Sequence, residues 1–186
     1  MARIPYVEIE TAAPKSKEVL ERLPLKLNIF KMMAHAETNF RPLLLLGTSI
    51  LTEQQLSAKL RELAILRVAR LSRAEYEWVQ HVPIAKMTGV SDEQVAALER
   101  DDATAACFDP VDRIVLRATE EIVRDGGPSD ATFADLQAHF SNREIVELVL
   151  AVGFYMVMAR LMISTRIDVD EPAGHKILAS LQSVRR

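Results

Sequence analysis

The sequence has a single cysteine and no excess of basic residues. Its 186 residues include one cysteine, Cys107, which cannot form an intrachain disulfide framework or a metal site made only of cysteines. The formal net charge is -3 and the sequence pI is about 5.9. Because nucleic-acid binding depends on basic groups that neutralise phosphates, we expect no nucleic-acid partner.

Signals for export and for membrane insertion are also missing. The opening residues, MARIPYVEIE, lack the apolar core of a signal peptide. The longest apolar-rich stretch, residues 145–163, is interrupted by Glu147 and Arg160, which favours a buried helix over a membrane span. We therefore expect a cytoplasmic protein without a membrane partner.

No segment shows a sustained alternation of apolar and polar residues, and nearly every segment has helical spacing. The sequence predicts an all-α helical bundle with short connections. Hydrophobic residues make up 49% of the chain and charged residues 26%, which is typical of a globular protein. The length fits a single domain over residues 1–186, with a loosely attached tail at 171–186.

Helix boundaries are predicted from caps and from the apolar period. Residues 1–13 are predicted to be extended. Capping boxes, with Gln or Glu three residues after Ser or Thr, are predicted at Thr52, Ser91 and Ser141, and Gly89 is predicted to end a helix. The predicted helices are at about 15–36, 38–50, 53–71, 74–88 and 142–165, with shorter ones after Ser91, Asp109 and Ser129.

Two tetrapeptides that each open an apolar helix resemble one another. Residues 60–63 read LREL and residues 142–145 read NREI. An internal two-fold repeat would explain the likeness, and so would chance similarity between two buried helices. After the first tetrapeptide come the polar residues Glu77 and His81, whereas the matching positions after the second hold Ala159 and Ile163.

Residues 74–86, AEYEWVQHVPIAK, place a carboxylate and an imidazole four residues apart. On a helix, Glu77 and His81 project from the same face. Such a carboxylate can raise the imidazole pKa and fix its tautomer, which suits proton transfer, but the same spacing is typical of a surface ion pair. Tyr76 and Trp78 flank the pair and are candidates to line a substrate pocket.

Glu62 is the second candidate carboxylate. Its neighbours at i+3, i+4 and i+7 are all apolar, and a carboxylate on an apolar stripe is costly unless it is paired or functional. Pairing with Arg61 or Arg67 is the structural alternative.

The run from residue 61 to residue 89 resembles the carboxymuconolactone decarboxylase / alkylhydroperoxidase D-like superfamily. That family's peroxidase branch has a glutamate, a CxxC pair that begins twelve residues later, and a histidine four residues after the second cysteine. Glu62 and His81 match the glutamate and the histidine, whereas Ala74 and Glu77 occupy the two cysteine positions. The resemblance covers about residues 25–165 and implies an alkylhydroperoxidase D-like bundle.

The decarboxylase branch resembles this sequence more closely, because it lacks CxxC and places an acid four residues before the histidine. The resemblance implies a cofactor-free, lyase-like enzyme acting on a small organic acid or lactone. His81 would serve as the general acid, with Glu62 and Glu77 orienting it or relaying the proton. Family members usually form trimers or hexamers, so a homo-oligomer is expected.

Alternatives remain open from the residues alone. A peroxidase-type antioxidant reaction would need Cys107 or an external thiol, and a non-catalytic oligomer would need no chemistry. Glu62, Glu77 and His81 could together bind Zn²⁺ or Fe²⁺, but no HExxH motif is present, and we expect neither a metal nor another cofactor. Three arginines could bind a substrate carboxylate, and the sequence does not choose among them: Arg73, Arg160 and Arg166.

Overall fold

A computed structural model of the protein describes residues 1–174, 176 and 177. All regular secondary structure in those residues is helical, which confirms the predicted all-α fold. Most of the predicted tail, including His175, lies outside the described residues. The helices are α1 (Pro14–Arg22), α2 (Asn28–Met33), α3 (Glu37–Glu53), α4 (Ala58–Ser72), α5 (Glu75–Met87), α6 (Asp92–Glu99), α7 (Pro110–Asp125), α8 (Asp130–His139) and α9 (Asn142–Thr165), preceded by a short 3-10 helix at Ile9–Thr11.

Several predicted helix ends are confirmed. Capping boxes at Ser91 and Ser141 start α6 and α9, and Asp109 forms a third one at the start of α7. Gly89 has φ +100 just after α5, and the Val90 N–H donates to the Ala85 carbonyl. A left-handed residue at this place closes the helix at little cost when it is glycine.

Two boundary predictions are wrong. The Thr52 hydroxyl donates to the Thr48 carbonyl at 2.7 Å, so Thr52 lies inside α3 and does not cap the next helix. That helix, α4, begins only at Ala58. The predicted helix over 15–36 is divided into α1 and α2, because Pro24 follows the end of α1 and disfavours helical backbone before it. The first residues are also not uniformly extended, since they include the 3-10 helix.

Helix α4 lies at the centre of the bundle and packs against α5, α7 and α9. Its apolar side chains at Leu63, Ile65 and Val68 are fully buried on different sides of the helix. Burial all round is the reason why this helix shows no single apolar stripe. Glu62 therefore projects into the interior of the protein.

Helix α9 is, among the described residues, long and apolar enough to cross a membrane by length and composition alone. Within the fold it packs against α4, and 44% of its most apolar window is buried. Core packing therefore accounts for part of its apolar character. Five aliphatic side chains of α9 remain exposed: Val146, Val149, Leu150, Val157 and Ile163.

The two similar tetrapeptides occupy different positions in their helices. Glu62 is the fifth residue of α4 and is buried, whereas Glu144 is the third residue of α9 and closes an exposed capping box. The two helices pack against each other. An internal repeat stays a prediction, but the two glutamates have different roles.

After α9 the chain returns across α5 as an extended segment, residues 168–174, which we call the C-terminal strap. The Gln80 side-chain amide donates to the carbonyls of Asp170 and Glu171 at 3.0 and 3.1 Å. Its oxygen accepts from the Ala173 N–H at 3.0 Å. The strap is thus fastened where the sequence predicted a loose tail.

Candidate functional site

A mainly apolar cavity of about 80 Å³ lies between α5 and α9 on one side and α2 and α3 on the other. This volume leaves room for several water-sized groups, or for a small ring compound. Aliphatic, methionine and phenylalanine side chains make up most of the wall. Its polar side chains are Tyr76, Glu77, Gln80, His81 and Tyr155.

His81 is held by Glu62 across the interface between α4 and α5. The His81 Nδ1 atom lies 2.9 Å from Glu62 Oε2, and the Arg61 guanidinium contacts the other carboxylate oxygen at 3.4 Å. Glu62 is 0% exposed and His81 is 7% exposed. With Nδ1–H donating to the carboxylate, Nε2 keeps its lone pair, and Nε2 has no hydrogen-bond partner among the described residues.

Glu77 also lines the cavity, but it has a different environment. It is 1% exposed, and neither of its carboxylate oxygens has a hydrogen-bond partner among the described residues. Burial raises the pKa of Glu77 well above its usual range, the Arg160 charge opposes that rise, and the Glu62 charge adds to it. Burial thus favours the protonated, neutral form of Glu77, which can donate a hydrogen bond.

Two interpretations of the Glu77 and His81 pair are corrected by this arrangement. A surface ion pair is wrong, because both side chains are buried. The two side chains also do not hydrogen-bond to each other; the carboxylate that orients His81 comes from Glu62, on another helix. All three residues nevertheless meet at one site, since Glu62 contacts His81 and the other two line the same cavity.

Tyr155 on α9 is the third polar group beside the candidate acid and base. Its ring meets the His81 ring edge-to-face, with 4.8 Å between centroids. Burial raises the Tyr155 pKa well above its usual value, and the nearby carboxylates of Glu62 and Glu77 raise it further. Its phenol stays neutral and can donate to a bound molecule.

Tyr76 and Gln80 line the cavity while their polar atoms hold the strap. The Tyr76 hydroxyl donates to the Asp170 carboxylate at 2.5 Å. That carboxylate also accepts from the Asn28 N–H at 2.7 Å, at the start of α2. The polar atoms of these two side chains are therefore occupied by the strap, and their apolar parts line the cavity.

Trp78 does not line the cavity. It belongs to a second apolar cluster on the other side of α5, where the Arg70 guanidinium lies 5.2 Å from its ring centroid. Of the two aromatic residues suggested by sequence as pocket-lining, only Tyr76 reaches the cavity. The difference follows from the helix, since residues two apart point to different sides.

No arginine or lysine from the described residues lines the cavity. The three candidate carboxylate-binding arginines at 73, 160 and 166 are all elsewhere, and Arg160 Nη1 donates to the Ser72 hydroxyl at 3.1 Å. Cys107 is exposed and is not part of the cavity wall. The described residues contain no group of three His, Cys, Asp or Glu side chains placed to hold a metal ion, so the Glu62, Glu77 and His81 set does not form one.

Sequence reasoning did not single out Gln80 or Tyr155. Gln80 is a neutral residue next to the candidate histidine, and its partners lie 90 to 93 positions away in the chain. Tyr155 sits in the middle of an apolar helix, where a single phenol group was the only available signal.

Known proteins share this arrangement of helices. Residues 39–121 match the carboxymuconolactone decarboxylase family. A peroxidase-related protein with an alkylhydroperoxidase AhpD core from Ralstonia eutropha JMP134 is similar in structure, with TM-score 0.77 and 17% identity over 91% of this chain and 92% of that chain. A peroxidase-related protein from Silicibacter sp. TM1040 has TM-score 0.73 and 18% identity, covering 91% and 92% of the two chains.

The debrominase Bmp8, solved in complex with 2,3,4-tribromopyrrole, is also similar in fold. Its TM-score is 0.71 with 14% identity, covering 96% of this chain and 95% of that chain. No curated protein matches the chain. At these identities the structural likeness establishes the alkylhydroperoxidase D-like fold that the sequence predicted.

Proposed function

Because this chain belongs to the carboxymuconolactone decarboxylase / alkylhydroperoxidase D-like superfamily, we propose that it is a cofactor-free, lyase-like enzyme that moves protons on a small organic acid or lactone. One observation carries the proposal. Glu77, a buried acid without a hydrogen-bond partner among the described residues, lines the same apolar cavity as His81, which Glu62 orients.

The chemistry needs an acid and a base with different proton affinities in one dry site. Glu77 enters the reaction protonated and supplies a hydrogen bond or a proton. His81, held through Nδ1, uses Nε2 to accept a proton from the substrate carbon or to return one to it. Glu62 stabilises the imidazolium that forms, in the way a buried carboxylate supports a general-base histidine.

Such a site can act on a lactone or on an activated acid. Loss of CO₂ from an activated carboxylate, or removal of a proton beside a carbonyl, leaves an enolate, and the product forms when that carbon is protonated. Neither route requires a redox group. The mostly apolar wall offers few competing polar groups, which strengthens the electrostatic effect of the acid and the base.

The test is proton exchange at carbon. Purified protein would be incubated in D₂O with five- and six-membered lactones and with β-keto and β,γ-unsaturated acids, and deuterium incorporation or CO₂ loss followed by NMR. We expect catalysed exchange or decarboxylation that is lost in Glu77→Gln and His81→Gln and retained in Glu99→Gln, an exposed control on α6. Equal rates in all variants would reject the proposal.

A peroxidase-type reaction through Cys107 or an external thiol is the alternative for the same fold, and a non-catalytic oligomer is another. The exposed position of Cys107, outside the cavity wall, disfavours a part for the chain's own thiol. The debrominase with a similar fold was solved with a small brominated pyrrole, and a small ring compound is the kind of ligand that we propose for this cavity.

We also propose that the chain is cytoplasmic and assembles with copies of itself as a trimer or hexamer. The exposed aliphatic face of α9 supports association, since apolar patches of this kind are usually covered. Sedimentation velocity on the purified protein tests it, and a single monomeric species at micromolar concentration would contradict it.

A further inference from the structure

We propose that the C-terminal strap is the gate of the cavity: it leaves α5 to let a molecule larger than water reach His81, and it closes again behind that molecule. The inference rests on the proposed function only in taking His81 as the group that a ligand must reach. It is carried by the position of the strap, by its few attachments, and by the side chains that hold it.

The strap connects two sides of the cavity. The Asp170 carboxylate accepts from the Tyr76 hydroxyl on α5 at 2.5 Å and from the Asn28 N–H at the start of α2 at 2.7 Å. Helices α2 and α5 both contribute side chains to the cavity wall, and Ile177, just beyond the strap, contributes another. The strap therefore bridges the α2 side and the α5 side of the cavity.

The polar groups of the cavity are almost closed off from solvent in this arrangement. His81 is 7% exposed, Tyr155 is 4% exposed and Glu77 is 1% exposed. Because even a water-sized molecule barely reaches these side chains, a larger molecule reaches them only after part of the wall moves.

Of the described elements around the cavity, the strap is held most lightly. Three hydrogen bonds from Gln80 and two to the Asp170 carboxylate attach it to α5 and α2. Three of its side chains are exposed, at Val169, Glu171 and Pro172. The helices of the wall, in contrast, bury many side chains in the main core. A segment with few buried apolar contacts opens at a lower free energy than such helices.

The beginning of the strap is fixed more firmly and marks the hinge. The Tyr6 hydroxyl donates to the Asp168 carboxylate at 2.9 Å and accepts from the Asp168 N–H at 2.8 Å. The Asp168 carbonyl accepts from the Asn28 side-chain amide at 3.0 Å. Opening therefore moves residues 169–174 about Asp168.

Tyr76 and Gln80 couple the gate to a ligand. Both side chains line the cavity while their polar atoms hold the strap. When the strap opens, these polar atoms lose their partners, which favours closing again. A ligand that packs against the two side chains in their closed positions shifts the equilibrium further toward the closed form.

A reversible disulfide tests the gate directly. A Cβ atom on Gly174 would lie 3.7 Å from the Cβ atom of Pro83 on α5, close to the spacing of about 3.8 Å found in disulfides. The double variant Pro83→Cys/Gly174→Cys, made in a Cys107→Ala chain, therefore links the strap to α5 when oxidised and releases it when reduced. Comparison of these two forms cancels the backbone strain at position 174, where φ is +53.

The measurement is the access of a reagent to His81. Diethyl pyrocarbonate acylates imidazole nitrogens, and peptide mass spectrometry reports His81 separately from His139, an exposed control on α8. We expect His81 to react at least about ten-fold more slowly in the oxidised form than in the reduced form, with His139 unchanged. Equal His81 rates in the two forms would overturn the inference.

A second pair of variants needs no disulfide. Asp170→Ala removes the acceptor of Tyr76 and Asn28, so His81 should react about five-fold faster or more. Glu171→Ala is the matched control, because the main-chain carbonyl that accepts from Gln80 stays in place. Equal His81 rates in these two variants would overturn the inference, also where the disulfide fails to form. So would a rate that rises with urea as steeply as global unfolding does.

The gate and the proposed function can fail separately. Strap-dependent access to His81 without exchange or decarboxylation of any test compound would keep the gate and reject the function. Exchange or decarboxylation at the same rate in the oxidised and reduced double variant, with equal access to His81, would do the reverse.

Discussion

The Nδ1 atom of His81 lies 2.9 Å from Oε2 of Glu62, although the two residues are 19 positions apart in the sequence. The contact joins the central helix α4 to α5 and fixes the tautomer of the imidazole. It leaves Nε2 as the nitrogen that can react. The position of α4 inside the bundle thus determines which nitrogen of His81 is available for the proposed chemistry.

Replacement of Glu62 by Gln should separate the structural role of this contact from its electrostatic role. The amide keeps the shape but cannot stabilise an imidazolium, so we expect activity to fall about 100-fold to 10,000-fold. Arg61 would lose its buried carboxylate partner, with a loss of about 3 kcal/mol in the free energy of unfolding. Rate measurements and urea denaturation check both values; unchanged activity would contradict the assigned role.

Glu77 should make stability depend on pH in a recognisable direction. Its pKa in the folded protein is raised above the usual 4.5, so the folded state binds the proton more tightly than the unfolded state. The resulting stabilisation is fully present below pH 4.5 and is lost as pH rises through the folded-state pKa, with a slope of at most about 1.4 kcal/mol per pH unit.

This effect can be measured by urea denaturation of the wild type and of Glu77→Gln between pH 4 and pH 8, in steps of about one pH unit. The difference in unfolding free energy should move in favour of the glutamine variant as pH rises above 4.5. A constant difference over the whole range would show that Glu77 does not change its proton affinity on folding.

Gly47 and Gly153 form a matched pair for testing the shape of the cavity. A Cβ atom on Gly47 would lie 3.0 Å from the ring of Phe154, whereas a Cβ atom on Gly153 would meet nothing within 4 Å. We expect Gly153→Ala to stabilise the protein by about 0.5–1 kcal/mol through its helix propensity.

The Gly47→Ala protein should lack that gain, because the Phe154 ring must move, and it should bind cavity ligands more weakly. Thermal unfolding and a titration with 2-furamide, a small neutral ring compound, followed by protein NMR, check both expectations. Equal stabilisation by the two substitutions, with equal affinity, would show that the Phe154 ring yields without cost.

Gln80→Leu should loosen the C-terminal strap. The substitution removes three hydrogen bonds to the main chain of residues 170–173, so the Ala173 amide should exchange with solvent faster. We expect a loss of about 1–3 kcal/mol in the free energy of unfolding, since buried strap groups lose partners. Gln137→Leu on exposed α8 is the control. Hydrogen exchange read by mass spectrometry decides, and equal Ala173 exchange in both variants would contradict the proposed attachment.

Cys107→Ala tests whether the chain's own thiol takes part in any reaction. Cys107 is exposed and does not line the cavity, so we expect proton-transfer activity to be unchanged within two-fold, on the order of 0.4 kcal/mol. Hydroperoxide turnover with an added thiol should also be the same with and without the cysteine. Loss of peroxide turnover in the variant alone would favour the peroxidase alternative.

The parts of the fold that sequence predicted well are those set by local chemistry. The caps at Ser91 and Ser141 depend on residues three positions apart, and both helices start where those pairs lie. The predicted cap at Thr52 was wrong because the Thr52 hydroxyl donates a hydrogen bond to the carbonyl of Thr48, one turn earlier in the same helix. A capping pattern in sequence does not distinguish that bond from a true cap.

The sequence predicted which residues form the candidate site, but not which of those residues contact each other. Spacing identified Glu62, Glu77 and His81, since a superfamily pattern fixes their separations. It could not show which carboxylate contacts the imidazole, because this depends on how α4 packs against α5. The long-range contacts of Gln80 and the approach of Tyr155 likewise exist only once the helices are packed.

The hold of Gln80 on the strap has a consequence for how this sequence can vary. The Gln80 side chain hydrogen-bonds only to main-chain carbonyl and N–H groups of the strap. Every residue has the carbonyl, and every residue except proline has the N–H. The exposed side chain at position 171 can therefore vary during evolution while the attachment persists, whereas Ala173 also packs against the core. Selection would act on the single glutamine, and on the avoidance of proline at position 173.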